Sequence, residues 1–210
     1  MLGFNAPGIP CSVISDNKLG LTQAPLFKLQ EYQDTHNYQG AFPYSRGDLY
    51  SEDIKNAQTF KPVNTHELVR LTAWIAREHD YTEEGTVARC YIGRASVSGW
   101  PYYPEYFMTI LEVLGYSDVI YNSLPAEETG GTEISFDFAT PIPLTAGQLY
   151  FFCICTPNSA PPYSVSIWRS GGYPRGYPRG RNYVWRLSSG DWKWRQEAEL
   201  DLCFWEYSAG

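Results

Sequence analysis

The chain has 210 residues, of which 43% are hydrophobic, 16% aromatic and 19% charged, and its net charge is −7. A chain of this length accommodates one domain with an appendage and buries a core without help from disulfides or metals. Its 17 Tyr and 7 Trp against 2 Met, with so few charges, argue against a helical bundle and for a β-structure.

Residues 1–47 carry Pro7, Pro10, Pro25 and Pro43 and short apolar islands at residues 13–14 and 26–29. No helical or strand period is sustained there. The islands favour an extended N-terminal arm, ordered on a partner or on the domain flank, over a solvated tail. The domain then occupies residues 48–210, beginning after the polar turn YSRGD. The opening residues MLGFNAPGIPCS have neither a basic region nor an apolar run, so no signal peptide is expected. No stretch of 18 apolar residues is present to span a membrane.

The predicted strands follow in order. Residues 56–60 (NAQTF) form a short one, stopped by Lys61 and Pro62. Residues 68–78 (LVRLTAWIARE) read as a strand in this context, although a helical face is also present. Residues 85–93 (GTVARCYIG) make a third, and residues 107–114 (FMTILEVL) a strand or a short helix. At residues 132–138, Ile134, Phe136 and Phe138 alternate with Glu133, Ser135 and Asp137, the period of a half-buried strand. Pro141 and Pro143 lack N–H donors and are expected to end it. Residues 148–156 (QLYFFCICT) are apolar on both faces, so this strand belongs in the middle of the structure, covered on each side. Residues 163–169 and 182–187 alternate again, residues 192–194 pair back after a Ser-Ser-Gly-Asp turn, and residues 199–207 close the chain with Leu200, Leu202 and Phe204 facing inward. Strands at this spacing, with Gly/Pro turns and no helical crossovers, predict an all-β antiparallel sandwich of the jelly-roll type.

Cys11, Cys90, Cys153, Cys155 and Cys203 show no zinc spacing, and the three His are scattered, so no metal site and no cofactor is expected. The thiols are expected to be buried and unpaired, as in a reducing compartment.

The order of several motifs resembles the jelly-roll modules of phage virion proteins (decoration, tail-fibre and adhesion proteins) and of bacterial choice-of-anchor surface proteins. Gln58 and Phe60 match the opening Gln-x-Phe strand. Pro141, Leu144, Gly147 and Tyr150 match the central hairpin, Gly190 and Trp192 the Gly-x-Trp element, and Asp201 and Phe204 the closing Asp-x-x-Phe. The match covers residues 54–207 and leaves residues 1–47 outside. The resemblance implies a non-enzymatic structural or adhesive protein, assembled in a host cytoplasm into a virion, with the arm contacting other subunits. A free-standing carbohydrate-binding module or lectin is the alternative.

Catalytic signatures are missing: there is no Gly-x-Ser-x-Gly elbow, phosphate loop or dinucleotide fingerprint. Glu105, Glu112, Asp118, Glu127 and Glu128 are the carboxylates from which a glycosidase pair would be drawn. Two stretches suit binding instead. Trp100, Tyr102, Tyr103 and Tyr106 stand among prolines in a loop, as a stiff platform for stacking on a cell-surface glycan. Residues 172–179 hold two copies of Gly-Tyr-Pro-Arg, presenting Tyr173, Arg175, Tyr177 and Arg179, with Arg181 just beyond. Residues 169–195 contain seven cations and one acid, a net +6 in a chain whose remainder is −13. Arg among aromatics suits an anionic polysaccharide or an acidic protein surface, including that of an identical subunit in a homo-oligomer. Nucleic acid is disfavoured by the acidity of the rest.

Overall fold

The computed structural model describes residues 27–33, 38–78, 85–99, 106–126, 131–157, 164–171, 180–188, 190–196 and 200–209. Among these, the strands are β1 (Phe27–Gln33), β2 (Tyr38–Ser45), β3 (Lys55–Phe60), β4 (His66–Arg77), β5 (Val87–Gly99), β6 (Tyr106–Ile120), β7 (Thr132–Leu144), β8 (Tyr150–Cys155), β9 (Val165–Gly171), β10 (Asn182–Ser188), β11 (Asp191–Gln196), β12 (Leu200–Leu202) and β13 (Phe204–Ala209). One 3₁₀ turn, Tyr121–Ser123, is the only helical element described, and no helix there is long and apolar enough to cross a membrane.

The strand pairs are nested. β5 pairs with β6, β4 with β7, β3 with β8 and β2 with β9, all antiparallel. Through the further pairs β9–β4 and β8–β5, they alternate between two sheets, β2-β9-β4-β7 and β3-β8-β5-β6. That is jelly-roll connectivity, and the protein is the all-β antiparallel sandwich that its alternation implies. β13 adds to the first sheet between β4 and β1, and β12 pairs with β9.

The second sheet goes further than a sandwich requires. The β10–β11 hairpin bridges β3 and β6, rolling this sheet into a closed ring in the order β10-β11-β6-β5-β8-β3. A ring has no free edge to recruit another chain. It also explains the double-faced apolar run. Tyr150, Phe152 and Ile154 of β8 pack into the core between the sheets, while Phe151, Cys153 and Cys155 fill the ring.

Five motif residues of the resemblance, Gln58, Phe60, Tyr150, Asp201 and Phe204, meet at one place in the core. Phe204 lies 5.0 Å from Phe152 and 6.0 Å from Phe60, and Phe60 lies 5.9 Å from Tyr150, between ring centroids. Those separations suit tilted aromatic pairs. Beside them, buried Gln58 donates from Nε2 to Asp201 Oδ1 at 2.9 Å, and its Oε1 accepts from Leu202 N at 2.9 Å. Leaving either partner buried and unsatisfied would cost about 1–3 kcal/mol, so the pair ties β3 firmly to β12.

Several boundaries depart from the sequence reading. β7 continues through both prolines, with Ile142, Pro143 and Leu144 opposite Leu68, Glu67 and His66. Pro141 falls in the irregular stretch between the Asp137–Arg70 and Ile142–Leu68 pairs, where it has no ladder partner, and Pro143 sits on a strand that pairs with β4 alone. A register shift before this segment re-sets the strand. β5 runs on to Gly99 because Gly93 is a bulge and not a terminus. A Cβ at Gly93 would strike the carbonyl of Glu112 and stand 2.5 Å from Phe151 Cε1, so only glycine lets that ring pass. Residues 107–114 lie within a strand, β6.

Of the expected arm, residues 27–33 and 38–45 are β1 and β2, paired with β13 and β9 of the domain's own first sheet. Residues 1–26 lie outside the described residues. Cys90, Cys153, Cys155 and Cys203 are buried free thiols. Burial raises the pKa of Cys90 and of Cys155, which keeps both protonated and inert.

Candidate functional site

The strand ring has two unlike ends. At one end, residues 46–54 turn beneath it and insert Leu49 among Ala57, Tyr91, Cys153 and Cys155. Buried Lys55 donates from Nζ to the carbonyls of Ser51 at 2.7 Å and Asp53 at 2.8 Å. Trp185 Nε1 donates to the Ser51 carbonyl at 2.9 Å, and the Tyr91 hydroxyl to Asp48 Oδ1 at 2.9 Å. This end is a plug. Burial lowers the pKa of Lys55, which counts against its charged form.

Among the described residues the other end is open, and a cavity of about 580 Å³ occupies it. All six ring strands contribute to its lining at or beside their ends. Thr59 and Lys61 come from the end of β3, Val97 from β5, Tyr106 from the start of β6 and Leu149 from just before β8; Arg181 and Tyr183 come from the start of β10, and Gln196 from the end of β11. The volume falls in the range of about 300–1,000 Å³ found for small-molecule sites, which recur at the mouths of β-barrels.

Two wall residues are held by their neighbours. Arg181 is pinned through its backbone: its carbonyl accepts from Thr59 N at 2.8 Å and from Thr59 Oγ1 at 3.1 Å, and its N–H donates to Thr59 Oγ1 at 2.8 Å. Tyr106 lies directly opposite Gly99, and a Cβ there would come within 2.7 Å of Tyr106 Cε1. The glycine therefore lets the phenol ring lie down across the strand pair at the rim, where it is 47% exposed. Tyr183 is buried, and loss of solvent pushes its pKa up to about 12 against the opposing charge of Arg181, so the phenol stays protonated at any ordinary pH.

The structure thus brings together Tyr106 from the expected stacking platform and Arg181 from the expected basic aromatic stretch. Trp100, Tyr102, Tyr103, Tyr173, Arg175, Tyr177 and Arg179 lie outside the described residues. The chain leaves and re-enters the fold at Gly99 and Tyr106, and returns from residues 172–179 at Gly180 and Arg181, all on this rim. Thr59, Lys61, Val97, Leu149, Tyr183 and Gln196 are site residues that the sequence reading missed. Apart from Val97, which lies beyond the predicted strand 85–93, their only local signal is a place at or near the end of a predicted strand, and beyond the expected β10–β11 hairpin nothing in the sequence says that these ends meet.

Other candidates have structural roles. Arg186 and Lys193 stand opposite each other on the exposed face of the β10–β11 hairpin, with Lys193 3.1 Å from Asp191. The indoles of Trp185 and Trp192 stack at 6.1 Å, and Trp185 meets Trp194 at 5.4 Å. Of the carboxylates, Asp118 pairs with Arg89 at 2.6 Å and Glu112 pairs with Arg94; Glu105, Glu127 and Glu128 lie outside the described residues. A second cavity of about 460 Å³ runs between β6 and β7, past Leu114, Tyr116, Phe138, Pro141 and Ile142. No charged side chain among the described residues lines it, so it lacks the convergent polar groups that orient a ligand.

No protein-family model matches this chain, and no curated protein matches it in sequence.

Proposed function

We propose that this protein is a non-enzymatic jelly-roll binding module whose ring mouth takes a glycan. One observation carries the reading: a preformed cavity at the open end of a ring whose other end is plugged, with an aromatic ring, two cations, a phenol and an amide on its wall. Tyr106 offers a flat apolar surface to the C–H face of a sugar, and the polar groups offer its oxygens hydrogen bonds. The pairing of Asp118 and Glu112 with arginines supports the non-enzymatic reading, since neither is poised as a lone acid or base.

The setting we favour is a phage-like assembly, in which the module serves as a decoration or receptor-binding subunit. The motif order from Gln58 to Phe204 and the apolar island at residues 13–14 support it. A glycan array probed with the full chain and with Tyr106→Ala tests the binding role. Retained glycans that the variant loses are expected; an array blank for the wild type would overturn the reading. Sedimentation of the wild type separates the settings, because a particle subunit is expected to self-associate or travel with particles, whereas a free lectin stays a monomer.

A further inference from the structure

The hydrogen-bonding inventory of the mouth is lopsided. Lys61 supplies an ammonium with three donors, and Arg181 a guanidinium that keeps donors in excess of the one its Nη1 gives to the Gly180 carbonyl at 2.7 Å; both stand exposed at the rim. Tyr183 adds a protonated phenol on the buried side, and Gln196 adds an amide with two donors. Against these, the acceptors are the amide oxygen of Gln196 and the phenol oxygens of Tyr106 and Tyr183. The Thr59 hydroxyl is engaged with the Arg181 backbone in both directions. No carboxylate lines the cavity among the described residues.

A neutral sugar hydroxyl donates as readily as it accepts, and it needs acceptors on the protein. A donor-rich wall suits a guest rich in acceptors, and a carboxylate is such a group, accepting on two oxygens and carrying the charge that both cations complement. The chain as a whole is −7, so an anion is disfavoured over most of its surface and favoured here. Lys61 and Arg181 come from β3 and β10, which are hydrogen-bonded neighbours, so the two cations reach the mouth from one side. Tyr106, by contrast, enters from β6, on a different part of the ring. A charged group and a stacking surface on separate parts of one wall fit a pyranose ring that bears a carboxylate.

We infer that the mouth selects acidic saccharides, uronic acids in the first place, with Lys61 and Arg181 on the carboxylate and Tyr106 against the sugar ring. This rests on the glycan-binding reading above and narrows it.

The test titrates the full chain with methyl β-D-glucuronoside, methyl β-D-glucoside and acetate, followed by NMR or calorimetry. The glucuronoside is expected to bind about ten- to a hundredfold more tightly than either control, the ratio that charge-assisted hydrogen bonds supply. Lys61→Gln and Arg181→Gln are each expected to remove most of that advantage, and added salt to reduce it. Lys61→Gln keeps the test decisive should Arg181→Gln disturb the wall, and a thermal melt checks both variants. Equal binding of glucoside and glucuronoside would overturn the selectivity while leaving a glycan site in place. Equal binding of acetate and glucuronoside would show an anion site with no sugar recognition. Binding of none of the three, with an array that also stays blank, would take down the glycan reading together with this one.

Discussion

The two ends of the strand ring are built from the same six strands and solve opposite problems. At the plugged end, polar groups find partners within the protein: Lys55 on two carbonyls, Trp185 on a third interaction with the same turn, Tyr91 on Asp48. At the mouth, Lys61 and Arg181 stand exposed at the rim of a cavity, Arg181 with one donor on the Gly180 carbonyl and the rest of its guanidinium at the rim. A barrel end filled by its own loop gives stability, and an end left open to solvent gives a place for a ligand. Changes at the two ends should therefore separate cleanly, with loss of stability at one and loss of binding at the other.

The largest expected effect is at the plug. Leu49 is 1% exposed inside the ring, and Leu49→Ala should lower stability by about 2–4 kcal/mol in a denaturant titration while leaving glycan affinity unchanged. Coupled loss of affinity would break the separation. Gly99→Ala is next, because the new methyl meets the ring of Tyr106. Overpacking of this kind costs about 1–3 kcal/mol, and here it should also weaken binding by moving the ring.

Tyr183→Phe should act on pH dependence. The phenol's pKa is raised from 10 to about 12 by burial. The folded chain keeps a proton that the unfolded chain has lost, so this contribution is full below pH 10 and disappears as the pH climbs through about 12. Melts across that window should show a shallower alkaline decline for the variant than for the wild type. Equal slopes would mean that Tyr183 is already solvated at the mouth. The smallest stability effect belongs to Tyr106→Ala, within about 0.5–1 kcal/mol as for other half-exposed positions, but with clear loss of glycan binding.

Much of the scaffold was legible in the sequence. The alternation at Ile134, Phe136 and Phe138 identified the buried face of β7, and these three are the residues that turn inward. The run Tyr150–Cys155 was apolar on both faces because the strand has a core on each side. Ring closure was not legible. It depends on β11 meeting β6 at Trp194–Met108 and Arg195–Phe107, a two-pair contact between strands remote in sequence, with no trace in local periodicity. The site inherits that blindness in part: Tyr183 and Gln196 already face each other in the β10–β11 hairpin, and β10 lies beside β3 and Thr59, but Tyr106 joins them only when the ring shuts. The prolines of β7 and the bulge at Gly93 misled for a related reason. Whether a strand tolerates a missing donor or an extra residue depends on which edge is paired, and that is a property of the sheet.

The central claim is that the open end of the ring is where this protein binds. Amide chemical-shift mapping of the full chain, titrated with methyl β-D-glucuronoside, tests it most directly. The account predicts shifts clustered at Thr59, Lys61, Val97, Tyr106, Arg181 and Gln196, with Leu49, Ser51 and Lys55 at the plug unmoved. Shifts centred on the β6–β7 groove at Tyr116 and Ile142, or on the plug, would contradict it.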